Sequence, residues 1–461
     1  MSLPIRSACL LLFMLFAQPI QAMEIERVIS PGGIEAWLVR EEAVPVIVMN
    51  VAWAGGSADD PVDKIGLANL VSGLLDEGAG DLDARSFRAR MDAIAMQMSF
   101  SEDRDHFSAD FKTLADHSDE AFSLFELAIN KPRFDDEAVE RIRAQIDSII
   151  SQNMEDPDWL ASRAWFSAAF GTHPYGRPSA GTHESIARIT RDDLKTFTQR
   201  ILARDNMKIS VVGPLSPAEL GLLLDRTFGS LPAKAARVEI PEVTLASKAQ
   251  TIVVQYDNTQ STAIFGMQGL KRNDPDFMAA YVMNYMLGGG GFSSRLTEEV
   301  REKRGLAYSV GSFLFPLRHA ALYLGSVGTQ NARMGVSMKL IRVEMEKMAT
   351  GSVSDKELAD AKTYLIGSYP LRFDSNASIA GELLGMQTEN LGIDYVTRRN
   401  AMVEAVTKED IARVARRLLK PDQLIVSIVG KPNLSEKAPI PAPMAALPQP
   451  ASPHEAPPSG E

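Results

Sequence analysis

Two residues in this chain combine reactive chemistry with an unusual setting: Arg301 and Tyr308, inside Gly288–Val310, GGGGFSSRLTEEVREKRGLAYSV. A guanidinium carries a fixed charge and several N–H donors for oxygen acceptors. A phenolic hydroxyl can donate a hydrogen bond to an oxygen that holds or gains negative charge. Neither group activates water by itself at neutral pH. As local pattern alone, both have an ordinary reading. Arg301 lies in EEVREKR, which has the composition of a solvated helix face with pairs such as Glu299–Lys303. Tyr308 reads as a half-buried strand aromatic.

Other chemistries find little support. The six histidines are His106, His117, His173, His183, His319 and His454, and none is three or four residues from another. No helical pair of metal ligands can be built from that spacing. Cys9 is the only cysteine, which excludes thiolate metal sites and cysteine catalysis outside a leader. There is no Gly-x-Ser-x-Gly elbow of a serine hydrolase. The four glycines follow a helical run over 277–287 rather than a strand, and no Gly-Lys-Ser/Thr comes after them, so a phosphate cradle is not indicated.

The elements around the pair follow from local pattern. Glycine alone takes positive φ without strain, so the quartet can release one helix into a tight turn. The pattern predicts an amphipathic helix from Ser293 or Ser294, with Leu296 and Val300 on its buried face. Gly305 is placed to end that helix as a C-cap, leaving Tyr308 at the mouth of a strand.

At longer range the chain is written twice. Residues 191–213, RDDLKTFTQRILARDNMKISVVG, match residues 408–430, KEDIARVARRLLKPDQLIVSIVG, at a constant offset. Asp193 falls on Asp410, Leu194 on Ile411, Leu202 on Leu419 and Gly213 on Gly430. Each copy reads as an amphipathic helix, a polar turn and a buried strand closed by glycine. Phe134-Asp135-Asp136 and Val353-Ser354-Asp355 form a second pair, and Asp60-Pro61 with Asp274-Pro275 a weaker third. Three ordered matches imply a duplicated domain. The expected division is 23–231 and 248–431, joined by a linker over 232–247. Strand-like runs open each half, at Val46–Trp53 and Thr251–Met267, and Gly33–Val39 with Val46–Trp53 reads as a hairpin-type pair, too close for a crossover connection. This predicts an α+β fold: two homologous domains, each a mainly antiparallel sheet with helices packed on one side.

Composition sets the remaining bounds. The 461 residues are 45% hydrophobic and 23% charged, an ordinary globular balance. Formal charge is −11, and removing a leader whose single charged residue is Arg6 takes it to −12. No basic cluster offsets that acidity, so neither nucleic acid nor a membrane surface is expected as a partner. Residues 1–22 read as a signal peptide: Arg6, an apolar run over Ala8–Ala17, and Ala22 at the cleavage site. Export without disulfides fits a periplasmic protein. Eight prolines among the last 23 residues mark 432–461 as a disordered tail.

The whole string VREKRGLAYSV resembles the second-half signature of the pitrilysin (insulinase) zinc peptidases, in their processing-peptidase-like branch. The resemblance spans most of residues 25–430. It implies that Arg301 and Tyr308 form an arginine–tyrosine pair that binds the substrate backbone and assists catalysis. It also implies that two homologous chains enclose a clam-like chamber. The family's metal motif, His-x-x-Glu-His, falls here on Asn69, Ser72 and Gly73. The downstream glutamate ligand falls within Gln145–Ile150, which contains none. Asparagine and serine are poor zinc ligands, and glycine offers no side chain. No metal ligand or cofactor is therefore assigned to this chain; zinc is expected on a homologous His-x-x-Glu-His partner subunit, with peptides as substrates. Two alternatives stay open: an inert scaffold of the same fold, and a stand-alone peptidase with an unrecognised metal site.

Overall fold

The computed structural model describes residues 23–436 apart from Ser247 and Ser352. Residues 1–22, expected to be a signal peptide, lie outside the described residues. The first half opens with β1 (Glu26–Ile29), β2 (Glu35–Arg40) and β3 (Val46–Ala54), then the short helix α1 (Leu67–Ser72). A two-residue ladder, β4 (Gly78–Ala79) with β5 (Leu82–Asp83), leads to α2 (Ala84–Ala93), β6 (Gln97–Glu102) and β7 (His106–Leu114). Five helices follow: α3 (Ser118–Asn130), α4 (Asp136–Asn153), α5 (Pro157–Phe170), α6 (His183–Ala187) and α7 (Arg191–Ile201). Strand β8 (Met207–Gly213) and α8 (Pro217–Phe228) complete this half.

The second half repeats the plan with β9 (Gln250–Gln255), β10 (Gln260–Gln268), α9 (Phe277–Asn284), β11 (Ala307–Pro316) and β12 (Ala321–Gln330). Its later helices are α10 (Met334–Ala349), α11 (Asp355–Gly367), α12 (Asn376–Thr388), α13 (Tyr395–Glu404) and α14 (Lys408–Leu418), before β13 (Ile425–Gly430). The sheets run β1-β2-β8-β3-β7-β6 and β11-β12-β10-β13-β9. Each is antiparallel except for one pair, β2 with β8 and β13 with β9.

The repeat has a physical basis in matching helix caps. Thr190 caps α7 and Thr407 caps α14, each in a reciprocal box with the aspartate three residues on, Asp193 or Asp410. Two expectations about strands need correction. Gly33–Val39 and Val46–Trp53 do not form a hairpin, because β8 inserts between β2 and β3. Five of its seven residues are buried, so it needs a neighbour on each side. Likewise the run Thr251–Met267 is two strands, broken at the polar stretch 256–259.

Each half packs its own helices on one face of its sheet. In β3, Ile47, Met49, Val51 and Trp53 face that core, whereas Val48 looks the other way. The opposite face is covered by a helix lent from the other half. Leu383 and Met386 of α12 lie against Trp37, Val39, Val48 and Val212 of the first sheet. Reciprocally, Trp165 and Phe166 of α5 pack with Leu322, Leu324 and Ile425 of the second. Backbone polar groups fix both docks: Trp165 Nε1 donates to Ile425 O at 2.9 Å, and Gln387 Nε2 donates to Ile209 O at 2.9 Å. The central strands are therefore buried on both faces, which explains their near-continuous apolar runs.

A polar knot joins the halves beside these docks. The fully buried Tyr175 hydroxyl donates to Asp105 Oδ1 and accepts from His319 N at 3.0 Å. Asp105 Oδ2 accepts from Arg318 N at 2.9 Å. The stretch 232–246 contains no helix or strand and serves as a bonded strap. Val238 N donates to Asp59 Oδ1 at 3.3 Å and Val243 N to His319 O at 2.9 Å. The start of the expected tail is also bonded: Gly335 N donates to Asn433 O at 3.0 Å, and Arg342 pairs with Glu436 at 3.2 Å. Residues 437–461 lie outside the described residues. Among the described residues no helix is long and apolar enough to cross a membrane.

Tyr175→Phe removes one donor from a buried carboxylate and the acceptor of His319 N. It is expected to destabilise the chain by about 1–3 kcal/mol in urea unfolding, the usual cost of unsatisfied buried groups.

Candidate functional site

The glycine-rich segment does not form the ordinary helix its pattern predicts. α9 widens into a π-turn at Tyr285–Gly289, a 3₁₀ turn spans Gly291–Ser293, and a second π-turn runs Thr297–Glu302. Wide turns of this kind recur at functional sites. Of the four glycines only Gly291 has positive φ, at 56°. Gly288 is needed for a different reason: a Cβ there would sit 2.7 Å from Ser312 N on β11. Leu296 and Val300 are fully buried, as expected. Gly305 takes φ 57° and its N–H bonds Arg301 O at 2.7 Å, closing the turn. Lys303 does pair with Glu299, at 2.7 Å.

Tyr308 occupies a β-bulge. Ala307 pairs with Thr329 and Ser309 with Gly328, leaving Tyr308 as the extra residue. Its ring covers Gly328, where any Cβ would collide with it, yet the residue is 52% exposed. Its hydroxyl makes no hydrogen bond among the described residues. Arg301 is also partly exposed: Nε lies 3.3 Å from Glu302 Oε1, and the guanidinium is 4.9 Å from the ring of Phe292, itself 70% exposed. Both residues are thus open to solvent, Arg301 on the second π-turn and Tyr308 at the start of β11. Neither residue lines the 890 Å³ cavity between the halves, whose walls carry Asp103, His106, Lys208 and Arg318.

The positions of the metal motif are filled by other interactions. Leu67, Leu70, Val71 and Leu74 keep α1 in the core. Asn69 Nδ2 donates to Glu102 Oε1 at 3.2 Å, and Ser72 Oγ donates back to Asn69 O at 2.8 Å. At Gly73 a Cβ would lie 2.9 Å from Ile142 Cγ2, so α4 occupies the space a histidine would need. Gln145 points to solvent, and Asp147 is paired with His183. Among the described residues no group of three or more histidine, cysteine, aspartate or glutamate side chains is gathered for a metal ion. The residues present do not fit zinc.

Pattern reading missed one buried and one half-buried carboxyl beside α1. Asp60, seen only as part of a repeat, accepts from Gly66 N at 2.8 Å and Ala68 N at 3.0 Å at the helix start, while burial raises its pKa well above the usual range. Burial pushes Glu102 up to about 7, and its Oε2 has no partner. No local signal marks Glu102, because its burial comes from elements distant in sequence.

The family pattern "Insulinase (Peptidase family M16)" matches residues 43–183, and "Peptidase M16 inactive domain" matches residues 188–365. A Helicobacter pylori protein named a non-peptidase homolog is 28% identical over 340 residues, covering 73% of this chain and 77% of that one. An uncharacterized zinc protease of Mycobacterium tuberculosis is 27% identical, covering 87% and 92%. The crystal structure of a peptidase M16 inactive domain from Pseudomonas fluorescens superposes with a TM-score of 0.84 at 27% identity, covering 90% of this chain and 99% of that one. Fold, duplicated halves and the vacated motif together define a peptidase-type scaffold of the inactive-subunit kind. The chain belongs to the insulinase family, peptidase family M16.

Two outcomes test this site. Gly73→His is expected to lower stability by about 1–3 kcal/mol through overpacking against Ile142, and Ile142→Ala should recover part of it, both read by denaturant midpoints. Glu102 has a folded pKa above its unfolded value, so the folded state holds the extra proton between about pH 4.5 and 7. Its contribution is present at low pH and is lost as pH rises through 7. Glu102→Gln should flatten that part of a stability–pH profile.

Proposed function

We propose that this chain is the non-metal subunit of a heterodimeric peptidase, binding substrate backbone for hydrolysis performed by a metal-bearing homologous partner. One observation carries this reading: Arg301 and Tyr308 sit on a π-turn and a β-bulge anchored by buried neighbours, yet both are open to solvent. Side chains kept only for packing would be buried. Tyr308 has an unspent donor, and the bulge lays its ring over Gly328 with the residue half exposed, which suits a group meant for a ligand. Arg301 keeps its charge at the surface, steadied by Phe292 and Glu302.

In this reading the partner supplies zinc and the general base. Arg301 orients a peptide carbonyl, and Tyr308 donates to the oxyanion formed at the scissile carbon. The chamber lies between the two chains, and the leader directs the protein to the periplasm. The relative named a non-peptidase homolog, and the absence of both residues from the cavity walls, support a second reading in which the chain is an inert scaffold.

Mixed with a His-x-x-Glu-His relative from the same organism, the chain should raise hydrolysis of a fluorogenic peptide while showing none alone. Tyr308→Phe should then lower turnover roughly 10- to 1000-fold, the range for one oxyanion donor. A turnover unchanged by Tyr308→Phe supports the scaffold.

A further inference from the structure

The two large sheets follow one plan but differ at one edge. In the first, β2 lies parallel to β8, and β1 pairs antiparallel on its outer side. In the second, β9 takes the place of β2, parallel to β13, and nothing among the described residues pairs with its outer side. The segment before β9, where a counterpart of β1 would come from, is the strap, drawn away to Asp59 and His319. Gln250 N donates to Leu424 O at 3.2 Å and Tyr256 N to Gly430 O at 3.3 Å. The alternation of a strand then turns the backbone N–H and C=O of Thr251, Val253 and Gln255 outward. No residue of β9 is buried.

Open edges are usually defended by charge, proline or a covering segment. β1 carries Glu26 and Arg27, β6 ends at Glu102, and the glycine segment presses on β11 beside Ser312. β9 reads QTIVVQ, with neither a charge nor a proline. The cavities of 890, 640 and 410 Å³ are all lined by residues outside β9, so no pocket there selects a side chain. What the edge offers is backbone pairing and a β-branched surface, and the same strand complements it. A two-fold axis through Val253 sets Thr251 against Gln255 and Val253 against Val253, each pair exchanging two backbone hydrogen bonds. Ile252 then faces Val254, an apolar match of β-branched side chains. No charged residue lies within the paired stretch, so the axis brings no like charges together there. Just beyond it, Lys248 of one copy comes beside Asp257 of the other, an exposed carboxylate paired within its own chain to Lys431.

We propose that β9 is a self-association edge: a second copy of this chain adds its own β9 antiparallel, joining the two five-stranded sheets across a two-fold axis. A contact of this kind uses the same patch on both copies, so it closes on itself and stops at a dimer. It lies at the opposite edge of the sheet from β11, roughly 19 Å away across four strand spacings of about 4.8 Å. The contact is therefore separate from Arg301 and Tyr308 and independent of the peptidase-subunit reading.

The test is sedimentation equilibrium of the full chain between micromolar and millimolar concentration, with hydrogen exchange on the same samples. A reversible monomer–dimer equilibrium is expected, with the Val253 and Gln255 amides slow to exchange only where the dimer is populated. Val253→Lys places like charges on the axis and should weaken the dimer at least tenfold. Thr251 and Gln255 are exposed, so changes there leave the fold intact. Thr251→Lys with Gln255→Lys should weaken the dimer as much. Thr251→Lys with Gln255→Glu should keep it, because the register sets those two positions face to face. A monomer at every concentration, or a dimer indifferent to the first two variants, would overturn the proposal. Amides equally protected in the monomer would overturn it too, since a segment of the chain itself would then occupy the edge.

Discussion

The reciprocal loan of one helix between the halves is the constraint from which the rest follows. α5 lies on the second sheet and α12 on the first, so the central strands of both sheets are covered on both faces. Removing either helix would expose an apolar face of the opposite sheet, and burial of such surface is the main favourable contribution to folding. The Tyr175–Asp105 knot and the strap at 232–246 add directional bonds where the two units meet. The halves therefore do not behave as beads on a linker. They form one body, and every surface on it has a fixed relation to the others.

That fixed frame also holds the turns that carry Arg301 and Tyr308. The glycine segment is a chain of wide and tight turns with few regular hydrogen bonds, yet Leu296 and Val300 anchor it in the core and Gly288 presses it on β11. A bulge at Tyr308 and the bend at Gly305 then set where two polar ends emerge. The same α12 that packs on the first sheet turns Gly381 and Gly385 outward.

What could be read in the residues was what local rules govern. The capping pairs at Thr190 and Thr407 follow from side chains three residues apart, as does the end of the turn at Gly305. The apolar stripe of α1 was legible for the same reason, and so was the loss of metal ligands within it. Insertion of β8 between β2 and β3 was not legible, because it pairs strands some 160 residues apart in sequence. The π-turns escaped notice since their residues fit an α pattern equally well. Glu102 was invisible because its surroundings are assembled from several elements, none carrying a signal alone.

The contact between Ile142 and Gly73 sets an order on any attempt to build a metal site into α1. A histidine at position 73 meets the Ile142 methyl at its first side-chain carbon, so α4 has to be trimmed before the motif can be installed, and trimming it takes an isoleucine out of the core. Asn69 and Ser72, already bonded to Glu102 and to the helix backbone, would have to change with it.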